Sequence, residues 1–489
     1  MIGALAVIAA PADARPGGGN TYSGGGGGGG YSGGGGYSGG GGYSGGGGYS
    51  GGGGYSSSGG GSSSGGGAVL LLVIGVVIVT AFVLGNAGST RSSTYTTMSR
   101  PAMPPSPPPP LDLSRVLERD PDFSRVAFED FAYRLFSAAH RARHDRAELA
   151  TLTPYLGPNA LAMMANRSGR IDQVVIGNLR ISRVHANGDP ALVQLVVVVD
   201  ANLAAAAGTV DVSERWTFAR SASTPTRPPD RTRTFDCPNC NAPFRSGDSP
   251  RTCAHCGAAM EVGRFDWTVT SIRVDAETSV GPTLTGTVEE VGNDFPTLAQ
   301  DDVQERLAEL RKDDSNVSWD ALTSRIRMIY DRLNTAWSAQ ELTPVRGLVT
   351  SSLLQYLQFW ITEYKREGLV NKLEQAAISK LALAKVTRDR WYDAITVRLF
   401  ADGLDVTIDA AGEVVGGSRE SRRAYTEYWT FVRSSARRGP ITTTPNCPHC
   451  GAPLAISDAG ACTHCNAEIE NASFDWTLSK IEQDDVYRG

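Results

Sequence analysis

Eight cysteines, all that the 489-residue chain contains, fall into two clusters of nearly equal spacing. The first is Cys237, Cys240, Cys253 and Cys256, read as CPNC, twelve residues, CAHC. The second is Cys447, Cys450, Cys462 and Cys465, read as CPHC, eleven residues, CTHC. A CxxC turn brings two sulfurs within reach of one ion, and a second such turn across a short hairpin completes a tetrahedral site of four sulfurs. Four thiolates make a soft, closed site that prefers zinc, with no open position for water. Two structural Zn2+ ions are therefore expected. Thioredoxin-like redox chemistry needs one CxxC beside a βαβ unit, not two paired ones. Pro238, Asn241, Gly257, Pro448, Gly451 and Asn466 suit tight knuckles. His255, His449 and His464 lie inside or beside sites already filled by cysteine, and are read as bystanders.

The flanks of the clusters repeat as well. WTF precedes each, at Trp216–Phe218 and Trp429–Phe431, and FDWT follows each, at Phe265–Thr268 and Phe474–Thr477. The clusters thus mark a duplicated unit, with each ribbon, 235–258 and 445–467, inserted between two strands. Long insertions are tolerated in such hairpin loops, and zinc supplies folding energy that so small a module lacks.

Before residue 111 the chain is of another kind. Residues 1–14 are apolar and end in Ala-Asp-Ala, as at the cleavage site of a signal peptide. Residues 15–67 hold most of the glycine and a repeated YSGGGG hexad, a composition with little to bury. Residues 68–85 carry no charge. As a helix they would reach about 27 Å, so a single membrane span is expected. Arg91 and Arg100 beyond it place the carboxyl side in the cytoplasm, as zinc thiolates in a reducing compartment also would. Residues 86–110 end in PAMPPSPPPP, a stiff extended linker. The expected location is a bacterial inner membrane, with one pass.

The remainder reads as two units, 111–274 and 316–485, joined by a polar stretch at 275–315. In the first, Phe128, Phe131 and Leu135 lie at helical spacing. Strands are expected at 171–184, 191–202, 209–220 and 265–274. In the second, Trp319, Leu322, Ile326, Ile329 and Leu333 mark one helix and 348–365 another. Strands follow at 376–387, 391–400, 404–409, 424–434 and 474–482. Helices followed by an antiparallel meander indicate an α+β fold.

The second unit resembles the Tim44-like domain family. The likeness rests on TEYWTFVRS at Thr426–Ser434, on ELTPVRGLVTSSLLQYL in the opening helical part and on the closing FDWTLSKI. The first unit is a more diverged copy, keeping DPDFSRVAFEDFAYRLF, LTPYL and WTFARS. The resemblance implies two nuclear transport factor 2-like (NTF2-like) domains, each with helices packed on a curved antiparallel sheet. The mitochondrial member links a protein-import channel to its chaperone motor, while the functions of bacterial members are mostly undefined. The ribbons and the doubling depart from the family pattern.

The expected function is a membrane-anchored, non-catalytic binding or scaffold protein engaging polypeptides or the lipid surface. An enzyme using an NTF2-like pocket is the alternative. Its candidate acid–base groups, Asp130, Glu363, Asp393 and Glu427, form no spacing motif. Nucleic-acid binding through the ribbons is disfavoured by a net charge of -5 and by basic residues, Arg245 and Arg251, in the first ribbon alone.

Overall fold

The computed structural model describes residues 111–489 except 168, 186–190, 207, 233, 245–250, 280–283, 285–289, 291, 445, 448–449, 454, 458–460, 467–474 and 485. The expected signal segment, glycine tract, membrane helix and proline-rich linker (1–14, 15–67, 68–85 and 86–110) lie outside the described residues.

The first half opens with α1 (Ser114–Arg119) and α2 (Arg125–Ala142). Ser124 starts α2 by accepting the Ala127 N–H at 3.1 Å. Phe128, Phe131, Leu135, Phe136 and Ala139 then fall on one buried face. Two short helices follow, α3 (Arg146–Thr151) and α4 (Pro158–Ala165). The chain next lays down β1 (Gln173–His185), β2 (Leu192–Ala205), β3 (Gly208–Ser221) and β4 (Thr268–Thr278) as an antiparallel sheet in sequence order. Alternate β2 residues Leu195, Val197, Val199, Ala201 and Leu203 join the α2 side chains in one core.

The second half repeats this plan. Helices α5 (Val303–Asp313), α6 (Trp319–Ser338) and α7 (Ser351–Arg366) precede β5 (Val370–Arg388), β6 (Tyr392–Ile408), β7 (Val414–Gly417), β8 (Arg423–Ser434) and β9 (Thr477–Gln483). The sheet order is β5-β6-β8-β9, with β7 paired to β6. Ser318 caps α6 as Ser124 caps α2. Where described, the stretch before α5 is packed on the second sheet: Arg398 on β6 donates to the carbonyls of Gly292 and Phe295.

Corresponding contacts recur in the two halves. Trp216 donates its indole N–H to Glu214, and Trp429 to Glu427, both at 2.8 Å. Arg220 pairs with Asp120 and lies over the Trp267 ring, while Arg433 pairs with Asp314 and lies over Trp476. In each half the turn before a helix forms a parallel bridge to the last strand, Leu156 to Val269 and Val349 to Leu478.

Two expectations are corrected. In place of curved-sheet NTF2-like domains, the described residues build two open antiparallel sheets, of four and five strands. Register shifts interrupt the pairing of β1, β4 and β5, and such bulges blunt the edges of an unclosed sheet. The second correction concerns the membrane. Among the described residues no helix is long and apolar enough to cross a membrane. The longest, α6, carries Asp320, Arg325, Arg327, Asp331 and Arg332. Single-pass anchorage, an inner-membrane location and a lipid-surface partner therefore have no support among the described residues.

The halves touch through α2. Val126 packs on Ala394 and Val432, and Glu129 bridges Arg125 and Lys480, each at 2.7 Å. Burial alone would raise the Glu129 carboxyl, but the Arg125 and Lys480 charges outweigh it and hold the group down to about 2. The unfolded carboxyl titrates near 4.5, so this contribution is complete above that pH and is lost as pH falls towards 2. Acid unfolding of Glu129→Gln should therefore show a flatter stability loss over that interval than the parent chain. Parallel acid limbs in thermal melts would remove Glu129 from the account.

Candidate metal centres

Each cysteine cluster lies in the connection between the last two strands of its half, β3 to β4 and β8 to β9. The local fold is a pair of knuckles. In the first ribbon Cys237 N–H donates to the Ala242 carbonyl and Asn241 N–H to the Cys237 carbonyl. Cys253 donates to Ala258, and Gly257 to Cys253, in the same way. The second ribbon repeats this with Cys447–Ala452, Gly451–Cys447 and Asn466–Cys462. The residue after each CxxC takes a positive φ: 59° at Asn241, 69° at Gly257, 74° at Gly451 and 55° at Asn466. That left-handed turn suits glycine and asparagine, which explains their presence at all four positions.

The knuckles bring the sulfurs of each cluster within 4.8 Å of one another. Cys237–Cys256 and Cys240–Cys253 are 3.9 and 3.8 Å apart, and Cys447–Cys465 and Cys450–Cys462 are 3.8 and 4.0 Å apart. A tetrahedron of zinc–sulfur bonds about 2.3 Å long has edges of about 3.8 Å. A disulfide would need about 2.05 Å, and all eight cysteines are free. Both four-cysteine clusters are thus geometrically suited to structural Zn2+ ions.

Without a cation the thiols of one site are unlike. Burial pushes Cys237 up to about 12. At the solvent side, the Asn239 amide donates to the Cys256 sulfur at 3.4 Å and helps draw that group down to about 6. A divalent ion would favour the thiolate at every position.

The ribbons are fastened to their sheets by arginine–aspartate pairs that follow the Phe-Asp-Trp-Thr motif. Arg227 spans Asp266 at 2.9 Å and the Asn241 side chain of a knuckle at 2.8 Å. Tyr155 donates to the Asp236 carbonyl, and Phe235 packs against Phe131 and Tyr155. In the second half Arg325 reaches from α6 to Asp475 and to the Thr442 and Trp476 carbonyls. The spacing of the cysteines gives no hint of these fastenings. The recurring Asp of FDWT was the available signal.

The four candidate acid–base carboxylates do not converge. Asp130 is exposed and paired with Arg134. Glu363 pairs with Arg366, Asp393 with Arg388 and Arg433, and Glu427 accepts from Trp429. A depression of ≈ 420 Å³ formed by α2, α3 and the first ribbon is lined by Arg141, Glu148, Leu152, Asp236 and Phe244 among others, and by none of these four. His255, His464 and Arg251 are exposed, while His449 and Arg245 lie outside the described residues.

Helices α5, α6 and α7 followed by β5 to β8 form the stretch that ends immediately before the second ribbon. Residues 303–442 match the model of the Tim44-like domain. The match begins with α5 and closes at Thr442, which Asp475 holds at 2.8 Å. No curated protein matches the chain. The expectation of two Tim44-like domains is corrected here to a single one, because the match covers the second half alone.

Proposed function

We propose that the chain is a non-catalytic Tim44-like binding protein whose two cysteine clusters are structural zinc ribbons, inserted at corresponding hairpins of two related halves. Cys237, Cys240, Cys253 and Cys256 would hold one ion, and Cys447, Cys450, Cys462 and Cys465 the other. The sulfur spacing carries this reading: each cluster has the edge lengths of a zinc tetrahedron. Corresponding Trp–Glu and Arg–Asp contacts support the relation between the halves.

In this role zinc holds each ribbon's fold and leaves the sheets to their own cores. Each sheet has a large apolar cluster of its own, built around Trp216 in the first and Trp429 in the second. Limited proteolysis before and after a strong chelator tests the division. Chelation should open cleavage within 235–258 and 445–467 while the helices and sheets stay resistant. Uniform digestion of the chain, or an unchanged pattern, would count against zinc-dependent inserts.

A further inference from the structure

The two clusters share a regularity of exposure that zinc binding does not require. The first cysteine of every CxxC is buried: Cys237, Cys253, Cys447 and Cys462. The second is open to solvent in every case, fully at Cys256 and Cys450 and partly at Cys240 and Cys465. Each site therefore has an inner pair of sulfurs and an outer pair, and the outer pair spans the two knuckles. In the first ribbon Cys237 and Cys253 are buried with Phe244 in a small apolar core, against which Met260 and the half-buried Cys240 also pack.

We propose that the outer pairs, Cys240 with Cys256 and Cys450 with Cys465, are oxidative modification sites, coupled by hydrogen peroxide into disulfides that cross from knuckle to knuckle. The inference rests on the zinc-ribbon reading for its consequence, though not for its pairing. In the first step the Cys256 sulfur takes one oxygen of the peroxide. A sulfur–oxygen bond forms, the oxygen–oxygen bond breaks and hydroxide leaves. The Cys240 sulfur then attacks the Cys256 sulfur, forming the disulfide and expelling the second hydroxide. Two sulfurs lose two electrons, and one peroxide with two protons from solvent becomes two waters. Cys450 and Cys465 follow the same balance. The outer sulfurs lie within 4.8 Å before reaction and must close to about 2.05 Å. With two of four thiolates consumed, a tetrahedral site of four sulfurs no longer exists.

The full chain, its zinc content measured first, is treated with hydrogen peroxide. Zinc in solution is followed with a chromogenic chelator, and free thiols are alkylated before disulfides are mapped by mass spectrometry. The expected result is release of bound zinc together with Cys240–Cys256 and Cys450–Cys465 linkages, reversed by dithiothreitol with added zinc. Linkages that include an inner cysteine, whether within one knuckle, as Cys237–Cys240, or across the knuckles, as Cys237–Cys256 and Cys240–Cys253, would overturn the proposal. So would peroxide treatment that leaves all eight thiols free or yields only sulfinic acids. Protein isolated without zinc would sink the ribbon reading instead, and the disulfide map would still decide the pairing.

Discussion

Substitution of Cys447 by serine is expected to halve the bound zinc, from two ions per chain to one. Cys447 is the inner corner of the second site, 1% exposed, with its sulfur 3.8 Å from that of Cys465. A serine hydroxyl keeps its proton at neutral pH and is a poor ligand for a soft site, so three thiolates would remain where four are needed. Structural zinc contributes roughly 10–16 kcal/mol in isolated finger peptides, far more than the ribbon's few buried side chains supply. The second ribbon should therefore lose its order with its ion. The first site has its own four cysteines and its own fastening through Arg227 and Tyr155, and should keep its zinc. Elemental analysis reads the stoichiometry, and proteolysis reports which ribbon has opened. Retention of both ions by the variant would show that Cys447 is not a ligand.

Arg433→Met should be the most damaging single change away from the cysteines. The Arg433 side chain is 1% exposed and faces two buried carboxylates, Asp314 at 3.0 Å and Asp393 at 3.5 Å, while its guanidinium lies 4.7 Å from the centre of the Trp476 ring. Methionine approximates its volume but leaves both acids short of a cation. Asp314 keeps donors from Asn316, and Asp393 keeps Arg388. Removing one partner of a buried pair typically costs about 3–5 kcal/mol, because a charge stays behind without compensation. A loss of that size should appear in urea unfolding followed by tryptophan fluorescence. The corresponding Arg220→Met should cost less, since it strands only Asp120, which still accepts from the Thr226 N–H and hydroxyl. A loss below about 1 kcal/mol for Arg433→Met, the range of an exposed pair, would mean that water already reaches this cluster.

The parts of the structure legible in the sequence are those set by local rules. Helical spacing located α6, and runs of β-branched residues located β1 to β3 and β8. The left-handed turn after each CxxC is implicit in Asn241, Gly257, Gly451 and Asn466. One local rule misled. Strands are expected separately at 391–400 and 404–409, yet β6 runs unbroken from Tyr392 to Ile408 through Gly403. The β5 strand bulges opposite, and a Cβ at 403 would come within 2.9 Å of the Ala376 backbone. The glycine answers a close approach there, which no property of the β6 segment alone reveals.

What joins distant segments was not legible. Asp120 and Arg220 are a hundred residues apart in sequence, and Glu129 and Lys480 are 351 apart. Each of these charges reads as an ordinary solvated residue until the fold brings its partner. The same holds for the ribbons. Ligand spacing announces a metal site, whereas its inner and outer sulfurs are distinguished only by what packs beneath them.

The central claim is that both cysteine clusters are closed zinc sites, and elemental analysis of the purified full-length chain tests it most directly. Two zinc ions per chain are expected, one for each cluster of four cysteines. A chain that holds no zinc after purification under reducing conditions, and gains none when zinc is supplied, would contradict the account.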